Sequence, residues 1–415
     1  MTRGADVVVI GAGIVGICAA LNLAEAGHSV LVIDRAGVCE GTSSGNAAAL
    51  AFTDVLPIVQ KGMMKNLPRW LTDPLGPLTI PPTYFPRLAP WLWRFWRASA
   101  DRHYETSLSA QAALMGVAEP EWMALLDRSG TRSFLREDGA LELYESETEF
   151  RESQPGWQAR ARFGFPFRHL GPDELAELQP GLSPGFVKGT FVPGWKTVTD
   201  PKLLGKALFA YAERTGNVTF AQQSVLSVAA KANGALLRLE DGDEIACRKA
   251  VICAGAWSHR LTAPLGDRLP LETERGYNTT LPLDAFDVKR QLIFSSHGFV
   301  ITPLSTGLRI GGAVELGGLD RPPNYARAAA MMEKAKRFLP GLKTEGGRQW
   351  MGYRPSLPDS LPVVGTARAS PAIIYAFGNG HLGLTQGAAM GRLVRDLALG
   401  EKSPIDLEPF SPQRF

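Results

Sequence analysis

Residues 6–34 read DVVVIGAGIVGICAALNLAEAGHSVLVID, and this stretch decides the fold. Its first five residues form a short run rich in β-branched side chains, the pattern of a strand buried on both faces of a parallel sheet. GAGIVG follows at once and places Gly11, Gly13 and Gly16 in G-x-G-x-x-G spacing. Residues 14–26 then read as a helix that Gly27 terminates, and residues 29–33 as a second strand with Asp34 at its end. Each part has a physical task. Gly11 permits a tight turn, Gly13 lets the backbone approach a pyrophosphate, and Gly16 lets the helix pack closely on the strand. The helix start offers unpaired N–H groups and the positive end of its dipole to phosphate oxygens. Asp34 is placed to accept hydrogen bonds from a ribose. A glycine triplet alone is weak, and the bland alternative is a glycine-rich turn without a ligand. The complete strand–glycines–helix–strand–acid unit points to dinucleotide binding in a Rossmann-type α/β domain.

The fingerprint does not say which dinucleotide. A nicotinamide-binding domain would continue with alternating strands and helices. Here the chain passes instead into GTSSGNAAALA (41–51) and a Pro- and Trp-rich stretch reaching about residue 100. Strand patterns resume at 218–221, 224–229, 235–239 and 244–247, broken by Asn-Gly and Asp-Gly turns. Residues 250–253 form another apolar strand ending in AGAWS. Residues 372–377 form one more, which runs into GNGHLGLT and a helix to about residue 399. Asp200 and Pro201 supply an N-cap and first turn for a helix after WKTVTD (195–200).

These motifs carry a family resemblance. GAGIVG, TSSGNAA, DPLGP, AVICAGAWS, RGY, GYRPSLPDSLPVVG and GNGHLGLT span residues 11–385. Together they resemble the FAD-dependent D-amino-acid oxidase/dehydrogenase superfamily, which also holds glycine and sarcosine oxidases. The likeness is strongest to bacterial D-amino-acid dehydrogenases, including D-hydroxyproline dehydrogenases. The resemblance implies an FAD-binding domain at 1–50, 200–265 and 356–415. A mainly antiparallel α+β substrate domain, interleaved with it, takes 51–199 and 266–355.

The resemblance also implies site roles. Thr42, Ser43, Ser44 and Asn46 would line the flavin and pyrophosphate, or form only a polar turn. Gly378, Gly380 and Gly383 would bring backbone amides beside the flavin ring, where the following helix start would stabilise charge near N1–C2=O. Further cofactor contacts fall at Ile14, Val15, Arg35, Val225, Ala254, Gly255, Trp257, Leu382 and Thr385. His381 would touch flavin or substrate, or serve structure alone. An amino-acid carboxylate needs a fixed cation, and arginine fits best through its planar fork. Arg354 is implied for that role and Tyr277 for an added hydroxyl, with Arg275 as a rival. The plain alternatives are an Arg354–Asp359 ion pair and a core tyrosine. Trp195 is either a wall of the substrate cavity or a core residue. The substrate class is a small D-amino or imino acid such as D-proline or D-hydroxyproline, oxidised by hydride transfer from Cα to flavin N5. The acceptor would be a quinone, another carrier or oxygen. Two rivals remain: a glycine/sarcosine-type oxidase, and a noncatalytic FAD subunit of a membrane-linked complex.

Composition narrows the rest. Net charge is +3, from 44 basic and 41 acidic residues, which gives no electrostatic case for nucleic acid. Cys18, Cys39, Cys247 and Cys253 lack metal or disulfide spacing, so reduced thiols and no metal site are expected. The sarcosine-oxidase-like relatives attach FAD through a C-terminal cysteine. No cysteine follows Cys253, so FAD is expected to be noncovalent. No run of 18 apolar residues spans a membrane and no signal peptide is legible, so a cytoplasmic enzyme is expected. The segment 90–99, PWLWRFWRAS, reads in two ways. It is either a buried helix whose arginines snorkel, which is the reading favoured here, or an interfacial helix on the inner membrane's cytoplasmic face.

Overall fold

The computed structural model describes residues 5–59 and 63–415; residues 1–4 and 60–62, which fall in segments given to the two domains above, lie outside the described residues. A six-stranded sheet runs in the order Val218–Gln222, Val30–Asp34, Val7–Ile10, Lys249–Ile252, Ser370–Phe377, Val363–Ala367. The first five strands are parallel and the last is antiparallel to its neighbour. Both faces are covered, which is why the strands read as unbroken apolar runs. Val7, Val9, Val30, Val32, Val251 and Ile374 point into a core built with the helices Ile14–Glu25, Asp101–Ser129, Pro201–Arg214 and Gly383–Leu399. Val8, Ile10, Leu31, Ile33, Ile252 and Ile373 point the other way. They meet a three-stranded antiparallel sheet, Val225–Lys231, Gly234–Leu239 and Glu244–Cys247. The expected Rossmann-type layer is therefore present. The strand at 218–222, within the segment given to the FAD-binding domain, joins the parallel sheet beside Val30–Asp34.

A second, larger sheet has the order Arg348–Ser356, Glu272–Leu281, Gly307–Leu316, Phe299–Leu304, Gln291–Phe294, Ala140–Tyr144, Lys188–Val192, Arg168–Leu170. It is antiparallel except where Gln291–Phe294 runs parallel to Ala140–Tyr144, and where Leu78–Thr79 lies parallel beside residues 314 and 315. One face packs Tyr277, Leu281, Ile301 and Ile310 against the helix Ala326–Phe338. The opposite face looks toward the glycine-rich ends of the parallel sheet. The site lies in the space between.

Two local expectations are settled by caps and faces. Asp200 Oδ1 accepts the N–H of Leu203 at 2.9 Å and starts the helix Pro201–Arg214 with Pro201 in its first turn. The helix Phe85–Ala98 meets the expectation of buried aromatics only in part. Leu88, Trp91, Leu92 and Phe95 form its buried stripe, whereas Trp93 and Trp96 are 54% and 56% exposed. Aromatics at 91, 93, 95 and 96 cannot share one face of a 3.6-residue helix. Among the described residues no helix is long and apolar enough to cross a membrane. All four cysteines are buried and free.

Candidate functional site

A single cavity of about 1050 Å³ runs from Asp34 at one end to Arg354 and His381 at the other. At the Asp34 end the glycine turn is built as the spacing predicts. Gly11 has φ +111°, and an added Cβ would run into the carbonyl of Cys253. Gly16 lies behind the cavity, its Cα packed on the Gly11 carbonyl. The helix Ile14–Glu25 has no side-chain cap from Gly13, and Gly13, Ile14 and Val15 face the cavity. Asp34 accepts the Ala12 and Ala36 N–H groups, each at 2.8 Å, so its first task is to hold the turn. Arg35 stacks over Trp257 at 4.0 Å, and both line the cavity with Val225, Ala254 and Gly255.

The loop at 41–48 lies between the two sheets, and its side chains tie it down. Ser43 Oγ accepts the Ile14 N–H at 3.0 Å, at the start of the first helix. Thr42 Oγ1 donates to the Tyr353 carbonyl at 2.9 Å. Asn46 bonds the Ser43 carbonyl and the Ala48 N–H, and Ser44 bonds Gly41. The large sheet holds the loop from below: Asn278, Thr302 and Arg309 donate to the carbonyls of Gly45, Ala47 and Asn46. Thr42, Ser43 and Asn46 line the cavity, while Ser44 does not.

The C-terminal loop closes the other side. Gly380, His381, Leu382, Gly383 and Thr385 line the cavity, and Gly378 sits behind it with φ +87°. The helix Gly383–Leu399 begins without a side-chain cap, so its free N–H groups are aimed at the cavity wall. The Thr385 hydroxyl is engaged by Ala49 and Ala51.

Arg354 and Glu274 pair across neighbouring strands in register, on the cavity face of the large sheet. The Arg354 guanidinium reaches over Gly276 and donates one bond, from Nη1 to the Ala313 carbonyl at 3.0 Å. A Cβ at position 276 would lie 2.5 Å from Arg354 Cζ and 2.9 Å from Nη1, so the bare backbone there makes room for it. Burial lowers the arginine's pKa, with Glu274 opposing. The alternative partner, Asp359, is held instead by Arg414 at 2.7 Å.

Tyr277 and Arg275 stand differently from the expectation. Strand parity sends residues 274, 276 and 278 toward the cavity and 275 and 277 away from it. The Tyr277 backbone borders the cavity, but its side chain belongs to the core on the other face. Its hydroxyl donates to Glu315 and accepts the Asn324 N–H. Burial, with the Glu315 carboxylate, pushes the phenol up to about 12. Arg275, fully buried, donates to Glu315 at 3.1 Å and to the Arg321 carbonyl at 2.8 Å. Neither group has a free donor aimed at a ligand in the cavity.

His381 meets a residue that the sequence did not single out. Its Nε2 lies 3.2 Å from Asp54, and Arg160 reaches the other Asp54 oxygen at 3.3 Å. Burial opposes the charged imidazole, yet the bond to Asp54 and its charge raise the His381 pKa above the ordinary value. Burial likewise pushes the Asp54 carboxyl up, but His381 and Arg160 outweigh it and hold the group low. The His381 side chain is 38% accessible and lines the cavity. Trp195 also lines the cavity and donates to Thr53 Oγ1 at 2.8 Å.

The residues fit an FAD group. The glycine turn leaves a cradle that a Cβ would fill, two helix starts face one cavity with no cap from their own N-cap residues, and Asp34 lies at the cavity's far end.

Comparison with known proteins agrees with this geometry. A family model described as FAD dependent oxidoreductase (DAO) matches residues 6–397. A D-amino-acid oxidase of Bradyrhizobium diazoefficiens is 35% identical over the whole of both chains. A D-amino acid dehydrogenase of Neisseria meningitidis is 28% identical over 99% of both. Among solved structures, a glycine oxidase of Geobacillus kaustophilus superimposes with TM-score 0.76 at 23% identity over both full chains. An L-proline dehydrogenase of P. horikoshii has TM-score 0.76 at 20% identity, over 100% of this chain and 98% of its own.

Proposed function

We propose, because the chain belongs to the DAO family of FAD-dependent oxidoreductases, that it oxidises a small D-amino or imino acid to the corresponding imine. The observation that carries this reading is Arg354. It is a half-buried guanidinium on the cavity wall with one backbone acceptor and no ion-pair partner among the described residues. A planar cation with donors to spare suits a substrate carboxylate. The D configuration is supported by the names of the D-amino-acid oxidase and dehydrogenase relatives. An apolar substituent is supported by Ile58, Leu78, Val314 and Ile293, apolar side chains that line the same cavity.

When bound, FAD supplies the electron sink that takes the Cα hydride. The chain's own part is positioning. Arg354 fixes the carboxylate, Asn278, Thr302 and Arg309 hold the 45–47 loop in place, and the apolar walls exclude water. The direct test is anaerobic bleaching of the bound flavin by a panel of D-amino acids, glycine, sarcosine and D-hydroxyproline. Fast bleaching by a small D-amino or imino acid is expected. A flavin that none of them reduces would favour the noncatalytic reading.

The acceptor has its own observation. Trp93 and Trp96 are exposed on the same helix as Arg94 and Arg97, and Arg97 stacks over Trp93 at 4.9 Å. Exposed tryptophans among arginines suit an anionic lipid surface, where a quinone acceptor would reside. Sedimentation with anionic vesicles, lost in a Trp93→Ser/Trp96→Ser variant, supports it. Stoichiometric hydrogen peroxide with no vesicle binding supports an oxidase instead.

A further inference from the structure

Glu274 is a carboxylate to which the reading above assigns no task. It is 6% exposed, stands opposite Arg354 in register, and faces the cavity from the same strand as Gly276 and Asn278. Among the described residues its side chain has neither a hydrogen-bond donor nor an ion-pair partner. An enclosed carboxylate left without a partner is costly, so its presence asks for a ligand that completes it.

The surrounding charges say which kind. Asp54 matches His381 and also meets Arg160, and Arg160 is further opposed by Glu142, whose carboxylate accepts from Ser295 at 2.8 Å. These four groups balance one another. Arg354 and Glu274 stand beside them, a cation and an anion that form no salt bridge and whose charges His381 also feels, while Arg309 is spent on the Asn46 carbonyl. An amino-acid zwitterion carries the complementary pair, and its carboxylate on Arg354 turns its nitrogen toward Glu274.

We propose that Glu274 binds the substrate nitrogen and accepts a proton from its ammonium group. This rests on the amino-acid reading of the site. One N–H bond breaks and leaves its electron pair on nitrogen, and the proton forms an O–H bond on the Glu274 carboxylate. No redox change occurs in this step, and charge is conserved as a pair of ions becomes a pair of neutral groups. The freed lone pair is the one from which the C=N bond forms as the Cα hydride departs. Oxidation by hydride loss requires that neutral amine.

The experiment compares FAD-loaded wild type with Glu274→Gln. Three probes are used: the D-amino acid that bleaches the wild type fastest, thiazolidine-2-carboxylate, whose nitrogen is largely neutral at pH 7, and propanoate, a carboxylate without an amine. Anaerobic bleaching of Glu274→Gln by the D-amino acid is expected to be about tenfold or more slower at pH 7. The deficit should close toward about pH 10, where solution supplies the free amine. Thiazolidine-2-carboxylate should bleach both proteins alike at pH 7, and propanoate should bind both alike by flavin difference spectrum. Equal bleaching of both proteins by the D-amino acid at pH 7 overturns the proposal. So does a loss that is independent of pH, shared by both substrates and joined to weaker propanoate binding, since Glu274 would then only position Arg354. If Glu274→Gln loses FAD, Glu274→Asp keeps a carboxylate and must bleach at pH 7 without needing alkaline solution; a need for high pH there also overturns it. A wild type that no amino acid bleaches defeats the amino-acid reading itself, and this is visible before any substitution is made.

Discussion

Thr42 and Tyr353 exchange hydrogen bonds across 311 residues of chain: the threonine hydroxyl donates to the tyrosine carbonyl at 2.9 Å and accepts its N–H at 3.3 Å. One side chain thereby fastens the loop after the first Rossmann unit to the strand that carries Arg354, at the residue next to it.

Thr42→Val keeps the shape and removes both bonds. It should lower stability by about 1–3 kcal/mol in urea titration, since the Tyr353 backbone groups lose their partner. KM for the best amino acid should rise while FAD content is retained. Unchanged KM with reduced stability would confine Thr42 to a structural role.

Arg354→Lys retains the charge and loses the planar fork. Its kcat/KM should fall at least about tenfold, or about 1.4 kcal/mol of transition-state stabilisation, with fold and FAD intact. Arg354→Ala should lose more. Amino-acid amides should be poor substrates for the wild type and suffer less from either change. Wild-type efficiency in both variants would return Arg354 to a structural role.

His381 and Asp54 predict a pH dependence of stability. The folded protein raises the His381 pKa above its ordinary 6.5. The pair's contribution is therefore complete below that value and is lost as pH rises through the folded pKa. Tm should fall in the wild type as pH rises from about 6.5 through the raised folded pKa, and this component should be missing in His381→Gln. Parallel curves for the two proteins would show that the imidazole's charge contributes nothing to stability.

Gly11→Ala tests the cofactor cradle. The position has φ +111° and no room beside the Cys253 carbonyl, and the backbone strain alone costs about 1–3 kcal/mol. The variant should purify with little FAD, whereas the wild type should be yellow and release its FAD on heat denaturation. FAD that stays attached to the denatured wild-type chain would contradict noncovalent binding.

The glycine turn, the Asp200 cap and the parallel strands were legible because each is fixed by neighbours within a few residues. Tyr277 was not. The strand Glu272–Leu281 is buried on both faces, so no apolar–polar alternation reveals which residues face the cavity, and a shift of one position exchanges the two sets. RGY marks the right strand, but the cavity face belongs to Glu274, Gly276 and Asn278. Asp54 escaped for another reason. It lies in a loop, and its partners Arg160 and His381 come from a helix and a turn 106 and 327 residues away. Nothing local distinguishes it from a surface aspartate.

Gly276 has no side chain, and that is what lets Arg354 lie across it. The guanidinium of Arg354 lies across the space where a methyl group would stand. A variant of this chain could keep its arginine, its charge and its fold, and still lose the reach of that arginine through one added carbon on the neighbouring strand. Under the carboxylate role proposed for Arg354, inheritance of the clamp is a property of two positions, and a search for specificity changes that inspects only charged residues would miss the one that sets the distance.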